Sequence, residues 1–306
     1  MLVNRREFIR IMGGAGALLA FPEVIFAGTR QVLGKAKNRT AIVWLQGQSC
    51  SGCSVSLLNA GDPDIATLLT GHISLRFHQT LSTATGDTAI DILRKTLDEG
   101  KKDYVLVVEG AIPEKSGAFC TLGEIGGVMR PMEEWVTLLA KNAKSIVAVG
   151  SCAAFGGIPA ATLRNGGGNP TGAVPLWDVL PQGKRVNIPG CPPHPDWMIG
   201  SLVHLLLGKK LKLDDYGRPL LYFKNTVHDK CEHLEDYRKK RFARRFGDKG
   251  CLYELGCLGI DTNCDIPVRK WLGVNSCTGS GGGCIGCTEP VFPDTGNRGL
   301  FCMRRA

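Results

Sequence analysis

The sequence predicts an α/β fold, a doubly wound parallel sheet, followed by a small irregular domain whose order depends on bound metal. Three observations lead there. From residue 40 to about 210, short β-branched runs alternate with stretches of helical periodicity, the pattern of a parallel sheet covered by helices. From 211 onward the chain becomes rich in Cys, Gly and charge and loses either period, so a hydrophobic core alone does not account for its order. Cysteines also fall just beyond the ends of several predicted strands, the edge at which open α/β sheets bind their ligands.

The β-branched runs place strands at 40–46, 73–78, 104–109, 145–149 and 185–188. Between them, apolar residues at helical spacing place helices at 89–97 and 132–140, and a third at 197–207 follows the last strand. The change of character near Asp215 divides the chain into domains 38–214 and 215–306, and no internal repeat of fixed period is present.

Residues 1–27 read as a leader rather than as fold. Arg5-Arg6-Glu7-Phe8-Ile9-Arg10 precedes an apolar, glycine-rich run to Phe26, the order of a twin-arginine signal peptide with cleavage after Ala27. Gly14-Ala15-Gly16 lacks the preceding strand that a nucleotide-binding turn needs. Gly13, Gly14, Gly16 and Pro22 weaken the alternative of a membrane anchor, and no later segment approaches the roughly 20 apolar residues of a spanning helix. The expectation is a mature chain without a transmembrane anchor, exported to the periplasm or the outer face of the cytoplasmic membrane.

With 43% apolar and 21% charged residues in 306, the chain is globular in composition and large enough for a sizeable core. Its formal charge of +9 is concentrated in Arg238, Lys239, Lys240, Arg241, Arg244 and Arg245. That run fits either a solvated face or a patch that docks a partner. Export argues against nucleic acid as that partner.

Thirteen cysteines make spacing decisive between metal ligation and cross-linking. Cys50 and Cys53 lie in the turn after the first strand, and Cys152 and Cys191 each come three residues past a later strand. One thiolate pair and two single thiolates gathered at one sheet edge fit a four-thiolate cluster. Cys120, eleven residues beyond its strand, reads as a non-ligand. A second group, His228-x-x-Cys231 with Cys251 and Cys257, offers one imidazole and three thiolates; structural zinc and an iron cluster at the end of a relay both suit it. A third group, Cys264, Cys277, Cys284 and Cys287, ends in a C-x-x-C after a glycine run, which argues for metal without separating zinc from iron. Cys120 and Cys302 remain outside the three groups. His72, His78, His194, His204 and His233 lack such cysteine partners and read as core or surface histidines.

These motifs, in this order, resemble the small subunit of nickel–iron hydrogenases over nearly the whole chain. Beside the leader they comprise Cys50-Ser51-Gly52-Cys53, Glu109-Gly110-Ala111-Ile112-Pro113, Gly150-Ser151-Cys152 with Phe155-Gly156-Gly157, and Gly190-Cys191-Pro192-Pro193. His228-x-x-Cys231, the stretch from Cys251 to Cys257, and Cys284-Ile285-Gly286-Cys287-x-Glu289-Pro290 complete the set. The resemblance implies a flavodoxin-like domain holding a proximal [4Fe–4S] cluster through Cys50, Cys53, Cys152 and Cys191. It implies a C-terminal domain in which His228, Cys231, Cys251 and Cys257 hold a distal [4Fe–4S] cluster and Cys264, Cys284 and Cys287 a medial one. The implied function is electron relay between the nickel–iron centre of a large partner subunit and an external acceptor such as a c-type cytochrome. No catalytic residue is then expected in this chain.

The sequence departs from the commonest family pattern at Cys277, where many relatives carry proline and a medial [3Fe–4S] cluster. A fourth thiolate implies a medial [4Fe–4S] cluster of lower potential; if Cys277 is not a ligand, [3Fe–4S] is implied instead. The stretch from Gly190 to Met198 is similar to the nickel–iron–selenium branch. No extra cysteines flank Cys53 or Gly157, unlike the six-cysteine proximal site of oxygen-tolerant relatives, and the chain ends at Ala306 without their C-terminal membrane helix. A respiratory-complex subunit with a related fold typically has adjacent cysteines after its first strand and lacks both C-terminal groups. The basic run opposes a lysine-rich cytochrome as acceptor.

Overall fold

Five parallel strands carry the architecture: β1 (Thr40–Gln46), β2 (Ile73–His78), β3 (Tyr104–Glu109), β4 (Ser145–Val149) and β5 (Asn187–Ile188), in the order β2-β1-β3-β4-β5. That is the doubly wound order whose switch point lies between β1 and β3. In this computed structural model the described residues are 39–161, 168–181 and 185–294. The leader at 1–27 and Cys302 lie outside them.

Every residue of β3 is buried, as is β1 from Ala41 onward, because helices cover both faces of a parallel sheet. Four of the predicted strands match in their bounds. The fifth, expected over 185–188, is shorter: Val186 accepts the Ala148 N–H at 3.0 Å, but Asn187 turns its own N–H to Gly217 O at 2.9 Å. An edge strand with a loop for its outer neighbour needs no longer ladder.

The main helices are α1 (Gly52–Leu57), α2 (Gly86–Asp98), α3 (Met132–Ala140), α4 (Gly150–Phe155) and α5 (Pro195–Leu206). Met132, Trp135, Val136 and Leu139 form the buried stripe of α3, the spacing that an amphipathic helix presents to a sheet. Helix α5 starts two residues before the predicted 197, since Pro195 suits a first turn and His194 Nδ1 caps it by accepting the Asp196 N–H at 3.1 Å. The main core lies between these helices and the sheet, around Leu45, Leu93, Leu106, Val108, Trp135 and Val136.

Beyond residue 211 the regular elements shrink to single turns, and a small apolar cluster there joins Ala243, Leu252 and Leu255 to Cys257. Buried charge does much of the fastening. Arg218, 2% exposed, donates to Asp214 Oδ2 at 2.7 Å, Thr288 O at 2.9 Å and Glu289 Oε1 at 2.8 Å. The same Glu289 oxygen accepts the Asn263 N–H at 2.6 Å. Arg269 joins Asp196 (2.8 Å) to Asp265 (2.7 Å), whose other oxygen accepts the Trp197 indole N–H at 2.8 Å. Among the described residues no helix is long and apolar enough to cross a membrane.

Candidate metal centres

Gln46 pairs with Glu109, Glu109 with Val149 and Val149 with Ile188, so four strands end in one row and their loops leave the same edge. Cys50, Cys53, Cys152 and Cys191 all follow that row. They also share one electrostatic site. Burial raises the Cys53 thiol well above its ordinary value, and the charges of Glu109, Cys152, Cys50 and Cys191 add to it. Burial pushes Cys152 up to about 11, with Cys191 contributing and the Ile158 amide opposing. Cys191 is raised by burial and by Cys50.

Glycine makes this convergence possible. Gly150 has φ +84° and a Cβ there would lie 2.5 Å from Cys53 Sγ; a Cβ on Gly157, at φ +52°, would lie 3.0 Å from Cys152 Sγ. Both the backbone conformation and the close approach require the missing side chain.

Beneath Cys53 lies a polar network that sequence reading did not single out. Glu109 is 1% exposed, and its carboxylate accepts from Trp44 Nε1 (3.0 Å), Gln46 Nε2 (3.2 Å), Ser49 Oγ (3.0 Å), Ser54 Oγ and the Cys53 N–H (3.2 Å). His78 Nδ1 accepts the Thr80 and Leu81 amides at 3.1 and 3.3 Å, which leaves Nε2 to donate to Ser54 Oγ at 3.1 Å. Burial lowers His78 to about 4 against the pull of Glu109, so it is neutral at pH 7. A glutamate ending an otherwise apolar strand was the available signal, since a buried carboxylate needs such partners.

The second group lines one pocket, to which His228, Cys231, Cys251 and Cys257 contribute together with Val227, Tyr253 and Thr278. Burial raises Cys251, with the Tyr253 amide opposing and Cys257 and Cys231 adding. Cys231 is raised by burial, opposed by the His233 amide and the Thr278 hydroxyl; the His233 N–H lies 3.4 Å from its sulfur. The Tyr237 ring meets the His228 imidazole edge-on at 4.4 Å.

In the third group, burial raises Cys264 and Cys284, and the charge of Cys287 adds most to each after burial. Burial pushes Cys287 up to about 12, opposed by the Cys191 amide and reinforced by Cys277 and Cys191. Cys277 is exposed as a residue, yet desolvation raises its thiol against a hydrogen bond from the Trp271 indole. Its neighbours Ser276 and Thr278 both donate to Glu232, Thr278 at 2.8 Å, so the strap bearing Cys277 is clasped to the residue after Cys231.

The three groups are linked in a fixed order. Ser151 joins the Cys191 and Cys287 loops by donating to Cys287 O and accepting the Gly190 N–H at 2.9 Å. At the other end the Cys284 N–H donates to Cys257 Sγ at 3.2 Å. Cys120 stands apart, packed against the main core. A single tetrahedral ion needs sulfur donors within about 4 Å of one another; among the described residues no three His, Cys, Asp or Glu side chains are placed to hold one ion.

Comparison with known proteins bears on what such an array serves. Residues 50–205 match the family model of the NADH ubiquinone oxidoreductase 20 Kd subunit, and residues 223–298 match that of the C-terminal part of the NiFe/NiFeSe hydrogenase small subunit. The periplasmic [NiFeSe] hydrogenase small subunit of Desulfomicrobium baculatum is 39% identical, over 96% of this chain and 97% of that protein. The chain belongs to the nickel–iron hydrogenase small-subunit family. The hydrogenase-2 small chain of Escherichia coli K12 is 36% identical over 94% of this chain and 77% of its own. The crystal structure of a reduced, active form of the Ni-Fe-Se hydrogenase from Desulfomicrobium baculatum superposes with a TM-score of 0.81 at 41% identity, covering 87% of this chain and 100% of that one. As a small subunit it is the electron-transfer partner of a hydrogenase large subunit in a heterodimer. The first family model is shared with a respiratory subunit; the C-terminal match separates this chain from it.

Thiols held above their ordinary range are protonated at neutral pH, and thiolates are the form that binds metal. Loading iron and sulfide into metal-free protein should therefore release about one proton per coordinating thiol beyond those that the hydrosulfide itself gives up, and affinity should rise with pH up to the raised values. Proton release in weakly buffered solution, followed with a pH indicator, checks this; release independent of loading would contradict it.

Proposed function

We propose that this chain holds three iron–sulfur clusters in a row and relays electrons between the nickel–iron centre of the large subunit and an external acceptor of the c-type cytochrome kind. Cys50, Cys53, Cys152 and Cys191 hold the proximal [4Fe–4S] cluster, Cys264, Cys277, Cys284 and Cys287 a medial [4Fe–4S] cluster, and His228, Cys231, Cys251 and Cys257 the distal [4Fe–4S] cluster. The flavodoxin-like domain, 38–214, carries the first and 215–306 the other two. Residues 1–27 serve as a twin-arginine signal that delivers the folded chain to the periplasmic side, in keeping with its periplasmic relative.

When bound, each cluster supplies a one-electron site at a potential set by its ligands and surroundings. The chain's own residues do the rest. Thiolates and the His228 imidazole fix position; amides of Ile158, Cys191, Gly286 and Tyr253 stabilise negative sulfur; Glu109 holds the Cys53 loop through its amide. The observation that carries the reading is the pair of hydrogen-bonded links between the groups: Ser151 ties the Cys191 loop to Cys287, and the Cys284 N–H donates to Cys257 Sγ. That linkage gives a path with two ends.

A variant that breaks one end tests it. In the purified heterodimer, His228→Ala should lower H2-driven reduction of a large protein acceptor by at least about tenfold, while hydrogen–deuterium exchange at the partner's centre continues. Loss of both together, or of neither, would contradict a relay that ends at His228.

A further inference from the structure

The basic run is the prominent feature that the relay leaves unused. Across 235–249, seven basic residues stand against three acidic ones. Glu235 is shared by Arg238 and Lys239, and Asp236 takes Arg241. Lys240, Arg244, Arg245 and Lys249 are exposed, and among the described residues no ion pair engages their side chains; Arg245 gives only its backbone N–H to Asp248, at 3.0 Å. Phe246 stands in their midst, 50% exposed.

This run is built onto the distal group. Cys251 donates its N–H to Arg241 O at 2.9 Å, and its carbonyl accepts the Ala243 N–H at 3.0 Å. Gly250 lets the two segments close, because a Cβ there would lie 2.6 Å from Arg241 O. From the same run, Tyr237 meets His228 at 4.4 Å, Phe242 at 5.9 Å and Tyr253 at 5.3 Å. The cations are thus fixed around the end of the array rather than scattered over the surface.

We infer that this face docks a soluble one-electron carrier protein whose own redox centre is ringed by acidic residues. The inference rests on the relay reading and names the kind of partner that meets its distal end. Uncompensated charge of one sign steers a complementary partner and repels a like-charged one before contact, and an exposed aromatic within a polar rim is a common anchor. An anionic membrane would also be attracted by the charge, but it has no use for a run bonded to the Cys251 backbone and packed through Tyr237 on His228.

One acceptor in two charge states provides the test, using the co-purified heterodimer under H2. A c-type cytochrome is offered in its lysine-rich form and after succinylation of its lysines, which keeps the haem and reverses the charge. The succinylated form should be reduced with the higher kcat/KM, falling as salt is raised. The double variant K240E/R244E should lower that value at least about tenfold and favour the unmodified cytochrome, with viologen dye reduction unchanged. Equal rates for the two forms, with dye reduction intact, overturn the docking inference alone. Binding of the heterodimer to phosphatidylglycerol vesicles without preference between the cytochromes overturns it in favour of a lipid surface. Failure to reduce even the dye, with exchange activity present, overturns the relay reading and this inference with it.

Discussion

Replacing Cys277 with proline should remove one iron per heterodimer and give the oxidised complex a paramagnetic [3Fe–4S] signal that the parent lacks. The medial potential should rise by on the order of 100 mV or more, because cluster type and net charge are the strongest determinants of potential. The reason lies in where the thiol sits. Cys277 bears electrostatically on Cys287, the Trp271 indole opposes the effect of burial on its thiol, and the strap on either side is clasped by Ser276 and Thr278 to Glu232. Trp271→Phe provides a control of opposite sign: it keeps the thiolate but removes the indole N–H that favours its charged form, so the medial potential should fall while the iron count stays constant. Redox-poised paramagnetic resonance separates the two outcomes, and an unchanged spectrum in C277P would remove Cys277 from the ligand set.

Arg218→Ala should cost the protein about 3–5 kcal/mol, the usual penalty for leaving buried carboxylates without their cation. Asp214 and Glu289 would both lose that partner, since Arg218 bonds to each and to the carbonyl of Thr288, next to Cys287. The loss therefore falls on the loop that presents a medial thiolate. Denaturant unfolding of the anaerobic complex should show a lower midpoint, with medial signals lost before proximal ones. Arg218→Lys should recover only part, because one ammonium cannot reproduce the forked contacts. A midpoint within experimental error of the parent would show that other contacts hold this loop.

Much of this arrangement is legible in the sequence, for physical reasons that differ by region. The run Tyr104–Glu109 reads as a strand buried on both faces because it is apolar almost throughout. Once strands are drawn, the short steps from Val149 to Cys152 and from Ile188 to Cys191 place both thiolates at one edge. The cysteine groups stand out because metal ligands are chemically distinctive and clustered. The supporting polar residues are not. Glu109 reads as the end of its strand and the first residue of a motif, but its buried network emerges only when β1 and β3 pair and bring Gln46, Ser49, Cys53 and Ser54 around it. Arg218 lies 71 residues from Glu289, a separation that no local pattern reveals. Ser276 and Thr278 look like ordinary turn residues, and their grip on Glu232 depends on a chain reversal between distant segments. The fifth strand is overextended in the sequence reading because Val186 keeps a ladder bond while Asn187 turns to Gly217.

A relay through this chain requires that three separated sets of thiolates, one completed by His228, each grip iron and sulfide. Mössbauer spectroscopy combined with iron, sulfide and zinc analysis on the anaerobically purified heterodimer reads that requirement without relying on turnover. About 12 irons held by this chain are expected, all in four-iron clusters, with one cluster spectroscopically distinct through its imidazole ligand. Stoichiometric zinc in place of iron at any of the three groups, or an iron content that leaves one group empty, would contradict it.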